Sequence, residues 1–234
     1  MQFKDPRYIG DPVNAVKIFN EKEVDELILL DIEATSIKKK PDFKKLKSIA
    51  SECFMPLCYG GGISCLEDID KILQVGVEKI AMCSALIETP DVVRKSAVIH
   101  GSSTIVGVID FKRNMFGKAT AFIKSSKINT GIAVLELARR VEDMGVGEIL
   151  LNSIDRDGTM KGYDLEIIQQ VSTAVKVPVI ACGGAGCLED FRFAIKFGKA
   201  SAVAAGSYFV FVGSKRAVLI TYPTQQQLFD QLYK

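Results

Sequence analysis

Pro56-Leu57-Cys58-Tyr59-Gly60-Gly61-Gly62-Ile63-Ser64-Cys65-Leu66-Glu67-Asp68 returns as Pro178-Val179-Ile180-Ala181-Cys182-Gly183-Gly184-Ala185-Gly186-Cys187-Leu188-Glu189-Asp190, 122 residues later and without a gap. Pro56 maps onto Pro178, the pair Gly61-Gly62 onto Gly183-Gly184, and Cys65-Leu66-Glu67-Asp68 onto an identical copy. The same offset carries Glu26 onto Glu148 and Gly76 onto Gly198. A period this long exceeds the ~20–50 residues of a solenoid repeat, so it reads as half a domain, duplicated and fused. In each copy the stretch reads as strand, glycine turn and helix, a shape that offers backbone amides and a helix N-terminus to an anion. Two such sites facing each other suit a ligand with a phosphate at each end.

Working outward, short apolar runs alternate with amphipathic segments. The runs are 26–32, 55–59, 79–83, 104–110, 148–152, 177–181 and 201–205, near-continuously apolar as parallel strands buried on both faces are. Helical spacing appears over 67–75, 133–144, 164–174 and 188–197. The alternation predicts a parallel α/β fold, which a doubly wound sheet and a closed barrel both satisfy; the duplication favours a (β/α)8 TIM barrel made of two half-barrels. The chain is read as one domain over residues 1–234, with halves of about 1–110 and 111–234. Only seven strands are found. The first visible element is a helix near 12–22, entered through Gly10-Asp11-Pro12, and the strand that should precede it is missing. Its absence predicts open edges on the second and eighth strands of the barrel. It also implies a start about 20 residues upstream or a lost segment, taking ordinary strand and loop lengths. Residues 111–128 read as an extended polar loop able to fold as a hairpin on the active face.

Composition narrows the classes. The chain is 48% hydrophobic and 25% charged, with a net charge of +2, which gives no reason to expect nucleic acid. No apolar run approaches the ~18–20 residues of a bilayer span, and the first residues lack a signal-peptide core, so no membrane association is expected. Cys53, Cys58, Cys65, Cys83, Cys182 and Cys187 sit in apolar contexts without paired spacing, and His100 is the sole histidine. Reduced thiols in a cytoplasmic protein follow; neither a metal site nor a cofactor is expected.

In a barrel, chemistry gathers where strands end. Asp31, Gly61-Gly62, Cys83-Ser84, Asp110, Asp157-Gly158, Gly183-Gly184 and Ala205-Gly206-Ser207 occupy those ends. Gly61, Gly62, Cys83 and Ser84 form one candidate anion site; Gly158, Gly183, Gly184, Gly206 and Ser207 form the other. The alternative is that these glycines only make tight turns. Asp110, closing an apolar strand, suits a general acid or base, or else a capping carboxylate. Asp157 reads either as a site residue or as part of an ordinary Asp-Gly turn. At the opposite ends stand Glu26, Lys79 and Glu148, charged groups that need one another in the lower mouth of the barrel.

Together these residues resemble the cyclase subunit of imidazole glycerol phosphate synthase. The resemblance runs from about Phe3 to the last strand. It rests on Gly10-Asp11-Pro12, Asp25-Glu26-Leu27, Leu30-Asp31-Ile32, Gly60-Gly61-Gly62-Ile63, Asn129-Thr130-Gly131, Gly147-Glu148-Ile149-Leu150, Ser153-Ile154-Asp155-Arg156-Asp157-Gly158-Thr159, Gly162-Tyr163-Asp164 and Gly183-Gly184-Ala185-Gly186. It implies a barrel that binds a bis-phosphorylated ribulosyl substrate on top and receives ammonia from a glutaminase subunit docked below. The implied products are imidazole glycerol phosphate and an aminoimidazole carboxamide ribotide. By position, Asp110 becomes the catalytic aspartate. Asp31 and Asp157 become substrate-side aspartates, and Glu26, Lys79 and Glu148 become three of four residues gating ammonia. The family's other catalytic aspartate, its gate arginine and a loop lysine belong to the first-strand region that is missing here. Cys83, Cys182 and Glu78 stand where the family usually has asparagine, serine and aspartate. These departures predict a poor cyclase. Gly10–Ile32, with Asn20-Glu21-Lys22-Glu23, is similar to a paralogous group that feeds ammonia to the acetamidino modification of a surface-polysaccharide sugar. A third alternative, an isomerase-like barrel binding two phosphates, has no use for a charged ammonia gate.

Overall fold

The computed structural model describes residues 7–125, 127–213 and 215–233; the start of the resemblance, at Phe3, lies outside them. The strands are β1 (Leu27–Leu30), β2 (Leu57–Gly60), β3 (Lys79–Met82), β4 (Ile105–Arg113), β5 (Ala119–Ile123), β6 (Ile128–Ala133), β7 (Glu148–Ser153), β8 (Val179–Cys182), β9 (Ala202–Val203), β10 (Phe211–Val212) and β11 (Ala217–Val218). The helices are α1 (Pro12–Glu21), α2 (Phe43–Ala50), α3 (Leu66–Gln74), α4 (Ala85–Glu88), α5 (Pro90–His100), α6 (Val134–Asp143), α7 (Leu165–Ala174), α8 (Leu188–Lys196), α9 (Ser207–Val210) and α10 (Gln225–Tyr233).

Seven strands pair in parallel in the order β1-β2-β3-β4-β7-β8-β9, with helices between successive strands. Such crossovers bury both faces of the sheet, which is why its strands carry little alternation of polar and apolar residues. Two apolar layers result. Ile105, Ile109, Phe111, Ile149, Leu151 and the buried faces of the helices form the outer core. Cys58, Ala81, Val106, Val108, Leu150 and Ile180 form a separate cluster, with Ile28, Cys83, Cys182 and Ala204 packed on it. Side chains two apart share a face, so Val106, Val108 and Asp110 of β4 follow one another up the inner side.

Among the described residues β1 and β9 are the two ends of the sheet, and no strand precedes α1. The C-terminal segment bridges back toward β1. Tyr222 Oη donates to Asp25 Oδ2 at 2.9 Å, and Gln225 Nε2 donates to the Glu23 carbonyl at 3.2 Å.

The predicted loop at 111–128 is partly strand. β4 continues to Arg113 and turns back into antiparallel β5, and β5 pairs with β6. The turn closes because Asn114 Oδ1 accepts from the amides of Phe116 and Lys118 at 2.9 Å each. Arg113 anchors the hairpin to the start of α7 with a two-pronged contact to Asp164, at 2.7 and 2.8 Å.

The 122-residue repeat is visible as geometry. Cys65 and Cys187 occupy the position before α3 and α8 with nearly the same backbone angles (−150°, 167° and −156°, 169°). Asp68 Oδ2 accepts from the Ser64 amide at 3.2 Å, as Asp190 Oδ2 does from the Gly186 amide at 2.8 Å. Burial would raise Asp68, but hydrogen bonds from Lys40 and Ser64 outweigh it and hold the carboxylate below its ordinary range.

Candidate functional site

The inner-face parity stacks side chains in three tiers. Glu148, Leu150 and Asn152 rise along β7; Lys79 and Ala81 lead to Cys83; Glu26, just before β1, leads to Ile28; Ile180 leads to Cys182. Charge lies at the base, apolar groups lie in the middle, and polar groups lie at the mouth. A cavity of about 760 Å³ joins the tiers. Its walls include Glu26 below, Ala81, Val108 and Leu150 between, and Asp110 and Asn152 above.

At the mouth, Asp110 is directly opposite Asn152 in the β4–β7 register. Asn152 Nδ2 donates to Asp110 Oδ1 at 2.9 Å, and the Cys83 thiol lies 3.7 Å from Oδ2. Asp110 is 8% exposed. Burial, aided by the charge of Asp157, raises its pKa to about 6 against the pull of the Asn152 and Cys83 hydrogen bonds. A carboxyl titrating there exchanges protons near neutrality, the property an acid–base group needs. Burial also raises both neighbouring thiols, Cys182 to about 12. They remain neutral thiols at physiological pH and are poor nucleophiles.

Asp31, Gly61, Gly62, Cys83, Ser84, Asp157, Ala205 and Gly206 also line this cavity. Gly158, Gly183, Gly184 and Ser207 belong to the adjoining turns on the same side of the sheet. At the first candidate anion site, the Gly62 amide donates to Thr35 Oγ1 at 3.3 Å, and Ser84 Oγ, beyond β3, accepts from the Lys124 amide at 3.2 Å. At the second, Arg216 donates to the Gly158 carbonyl at 2.7 Å and to Ser207 Oγ at 3.2 Å. Arg216 thus brings a basic group to the second turn, whereas Lys124 meets Ser84 through its main chain and pairs its ammonium with Glu88 at 2.6 Å; sequence reading missed both residues. Lys124 arrives from the β5–β6 turn and Arg216 from the β10–β11 hairpin, and neither location follows from local pattern. Asn152 is a further site residue that sequence reading missed, although its even spacing from Glu148 puts it on the inner face.

At the base, Lys79 Nζ bridges Glu26 Oε2 at 2.8 Å and Glu148 Oε1 at 2.9 Å. Burial would lower Lys79, but the two carboxylates more than offset it and the net shift is upward. The folded pKa lies above the ordinary 10.5, so this contribution to stability is complete below that pH and is lost only as pH climbs past the raised value. Lys79→Met should therefore destabilise the fold by about 2 kcal/mol, because two carboxylates are left facing each other. Denaturant midpoints at pH 5 and pH 9 should show the same loss; a loss confined to one of them contradicts the bridge.

A parallel α/β sheet curled around a cavity, with a charged base, a buried carboxyl at the mouth and paired glycine turns, defines an α/β barrel protein. The chain belongs to the histidine biosynthesis protein family, whose model matches residues 1–213. It is 47% identical over 228 residues to a Pseudomonas aeruginosa protein named "Putative imidazole glycerol phosphate synthase subunit hisF2", covering 97% of this chain and 91% of that one. A Leptospira borgpetersenii relative, named "Putative imidazole glycerol phosphate synthase subunit HisF", is 47% identical over 224 residues, covering 95% and 88%. The "Imidazole glycerol phosphate synthase subunit HisF" of Alkaliphilus metalliredigens is 39% identical over 209 residues, covering 89% and 83%.

Proposed function

We propose that this protein is the ammonia-using cyclase-type subunit of a two-part synthase. Its glutaminase partner would dock on the face that carries Glu26, Lys79 and Glu148. The observation that carries this reading is the single cavity lined by Glu26 at one end and Asp110 at the other. Its middle walls, Ala81, Val108, Leu150 and Ile180, offer no hydrogen bonds, so a small neutral amine passes more readily than water-bound ions. The two glycine turns suit the two phosphates of a ribulosyl substrate, with Arg216 adding positive charge beside the second. Asp110 accepts a proton from the attacking nitrogen as the carbon–nitrogen bond forms and returns it as the breaking bond's leaving group departs. Asp31 and Asp157 line the same mouth and orient substrate hydroxyls.

A second reading has a specific observation behind it. The side chains hydrogen-bonded to Asp110 are an amide and a thiol, whereas ring closure with bond cleavage calls for an acid and a base. A subunit that mainly passes ammonia onward, for amidination of a surface-polysaccharide sugar, needs the charged floor and the cavity more than a second carboxyl. Turnover of the full-length polypeptide with ammonium and the bis-phosphorylated ribulosyl substrate separates the two. Formation of imidazole glycerol phosphate supports the cyclase. No product, together with binding to a glutaminase and stimulation of it, supports the conduit. Absence of both turnover and glutaminase binding removes the ammonia reading altogether.

A further inference from the structure

Among the described residues, four buried side-chain polar atoms have no hydrogen-bond partner: Glu26 Oε1, His100 Nε2, Asn152 Oδ1 and Ser172 Oγ. His100 Nε2 lies 3.2 Å from Asp70 Oδ1, so a charge partner is at hand although the hydrogen-bond geometry is poor. Ser172 lies on α7, away from the cavity. The two that remain, Glu26 and Asn152, line the same cavity at its two ends. Both orphaned atoms are acceptors, so the cavity is prepared for a ligand that brings donors.

Asn152 is the more informative. It is 7% exposed, and leaving a buried acceptor unpaired costs about 1–3 kcal/mol. Its orientation is set by chemistry. Exchanging the amide ends would place Oδ1 against the Asp110 carboxylate at the 2.9 Å now spanned by a donor, which is repulsive whenever Asp110 is ionised. Space beside Oδ1 is preserved by Gly183, where a Cβ would come within 2.8 Å of it. The groups around Asp110 are Asn152 on β7, Cys83 beyond β3, Cys182 at the end of β8 and Asp157 in the loop after β7. The thiols are neutral, Asp157 repels added negative charge, and only Asn152 offers both a donor to Asp110 and an empty acceptor.

We propose that Asn152 is a positioning residue for the nitrogen nucleophile: its Nδ2 holds Asp110, and its Oδ1 takes one N–H of ammonia arriving at the top of the cavity. This rests on the reading that ammonia travels through the cavity. Asp110 takes a second N–H, so two of the three hydrogens are fixed and the lone pair faces the substrate. If the nitrogen arrives as ammonium, the same two acceptors hold it, and its positive charge favours the ionised form of Asp110, which stays free to take a proton as the carbon–nitrogen bond forms.

The test is titration of the Asp110 carboxyl by carbon NMR in the wild-type protein and in Asn152→Leu, with ammonium chloride or tetramethylammonium chloride. Ammonium, and not the methylated ion, should lower the Asp110 midpoint in the wild type and leave the variant unmoved. In turnover with external ammonium, Asn152→Leu should raise KM for ammonium about tenfold, the effect of one lost hydrogen bond, and move the acid limb of the profile upward. Should Asn152→Leu not fold by circular dichroism, Asn152→Ser carries the same expectations. An ammonium response equal in wild type and variant, or an unchanged KM and pH profile, overturns the assignment. An ammonium-specific shift of Asp110 in a protein without cyclase turnover would instead sink the cyclase reading and leave Asn152 in place.

Discussion

Asp110→Asn is expected to lower ammonium-dependent turnover by roughly 100-fold or more, the scale set by a positioned acid–base group. The substitution keeps the shape of the side chain, so the loss reports the missing proton exchange. In the unsubstituted protein, kcat/KM should rise through an apparent pKa of about 6, the value to which burial lifts this carboxyl. The limb should vanish in the variant, and turnover equal to that of the parent would refute the role. A stability signature accompanies it. The folded pKa is raised from 3.8 to about 6, so the fold favours the neutral carboxyl. That contribution is complete below pH 3.8, is lost as pH rises through about 6, and is absent at pH 8. Asp110→Asn, always neutral, should therefore be more stable than the parent at pH 8 by up to about 3 kcal/mol, since each tenfold change in proton affinity is worth ~1.4 kcal/mol. At pH 3.5 the two should unfold alike. Loss of activity with gain of stability is the behaviour of a group retained for chemistry.

Gly184→Ala should produce the largest loss of stability, about 3 kcal/mol or more, from a forbidden backbone angle and a clash with main chain. Gly184 has φ of +119°, and a Cβ there would come within 2.2 Å of the Gly162 carbonyl oxygen. That oxygen accepts from the Arg156 guanidinium, so it is held in place rather than free to yield. Gly61→Ala, in the first turn, meets the same obstacle: φ of +117° and the Asp31 carbonyl oxygen 2.3 Å from the added carbon. Gly206→Ala is the control. Its φ is −107° and nothing lies within 4 Å of its Cβ position, so its unfolding midpoint should stay within about 0.5 kcal/mol of the parent. Chemical denaturation of the three variants side by side decides the matter. If Gly184→Ala is as stable as Gly206→Ala, the turn is not the constrained element described above.

How much of this was legible in the chain follows from the range of each interaction. Asp110 could be placed because β4 is a nearly unbroken apolar run and a carboxylate at its end stands out. Glu26, Lys79 and Glu148 could be placed for the same reason at the other ends, and their mutual need for charge partners made the bridge predictable. The hairpin over β5 and β6 was only partly legible. Its polar, threonine-bearing composition is shared by loops, and what makes it strand is pairing with β4 and anchoring by Arg113 to Asp164, 51 residues away. Lys124 and Arg216 were invisible as neighbours of the candidate anion sites, because each reaches its site from a separate excursion of the chain. Asn152 looked like one more strand-end residue until the β4–β7 register set it opposite Asp110.

By itself the amino-acid order determined the seven parallel strands, the repeated strand–turn–helix units and the separation of a charged base from a glycine-rich mouth. Those features arise from hydrophobic period and from the backbone freedom of glycine, both local properties. Only the tertiary structure decided that one cavity links Glu26 to Asp110, that β1 and β9 end the sheet, and that Asn152 keeps an acceptor open. These depend on register and on curvature of the sheet, which bring together side chains distant in sequence through contacts that no local pattern encodes.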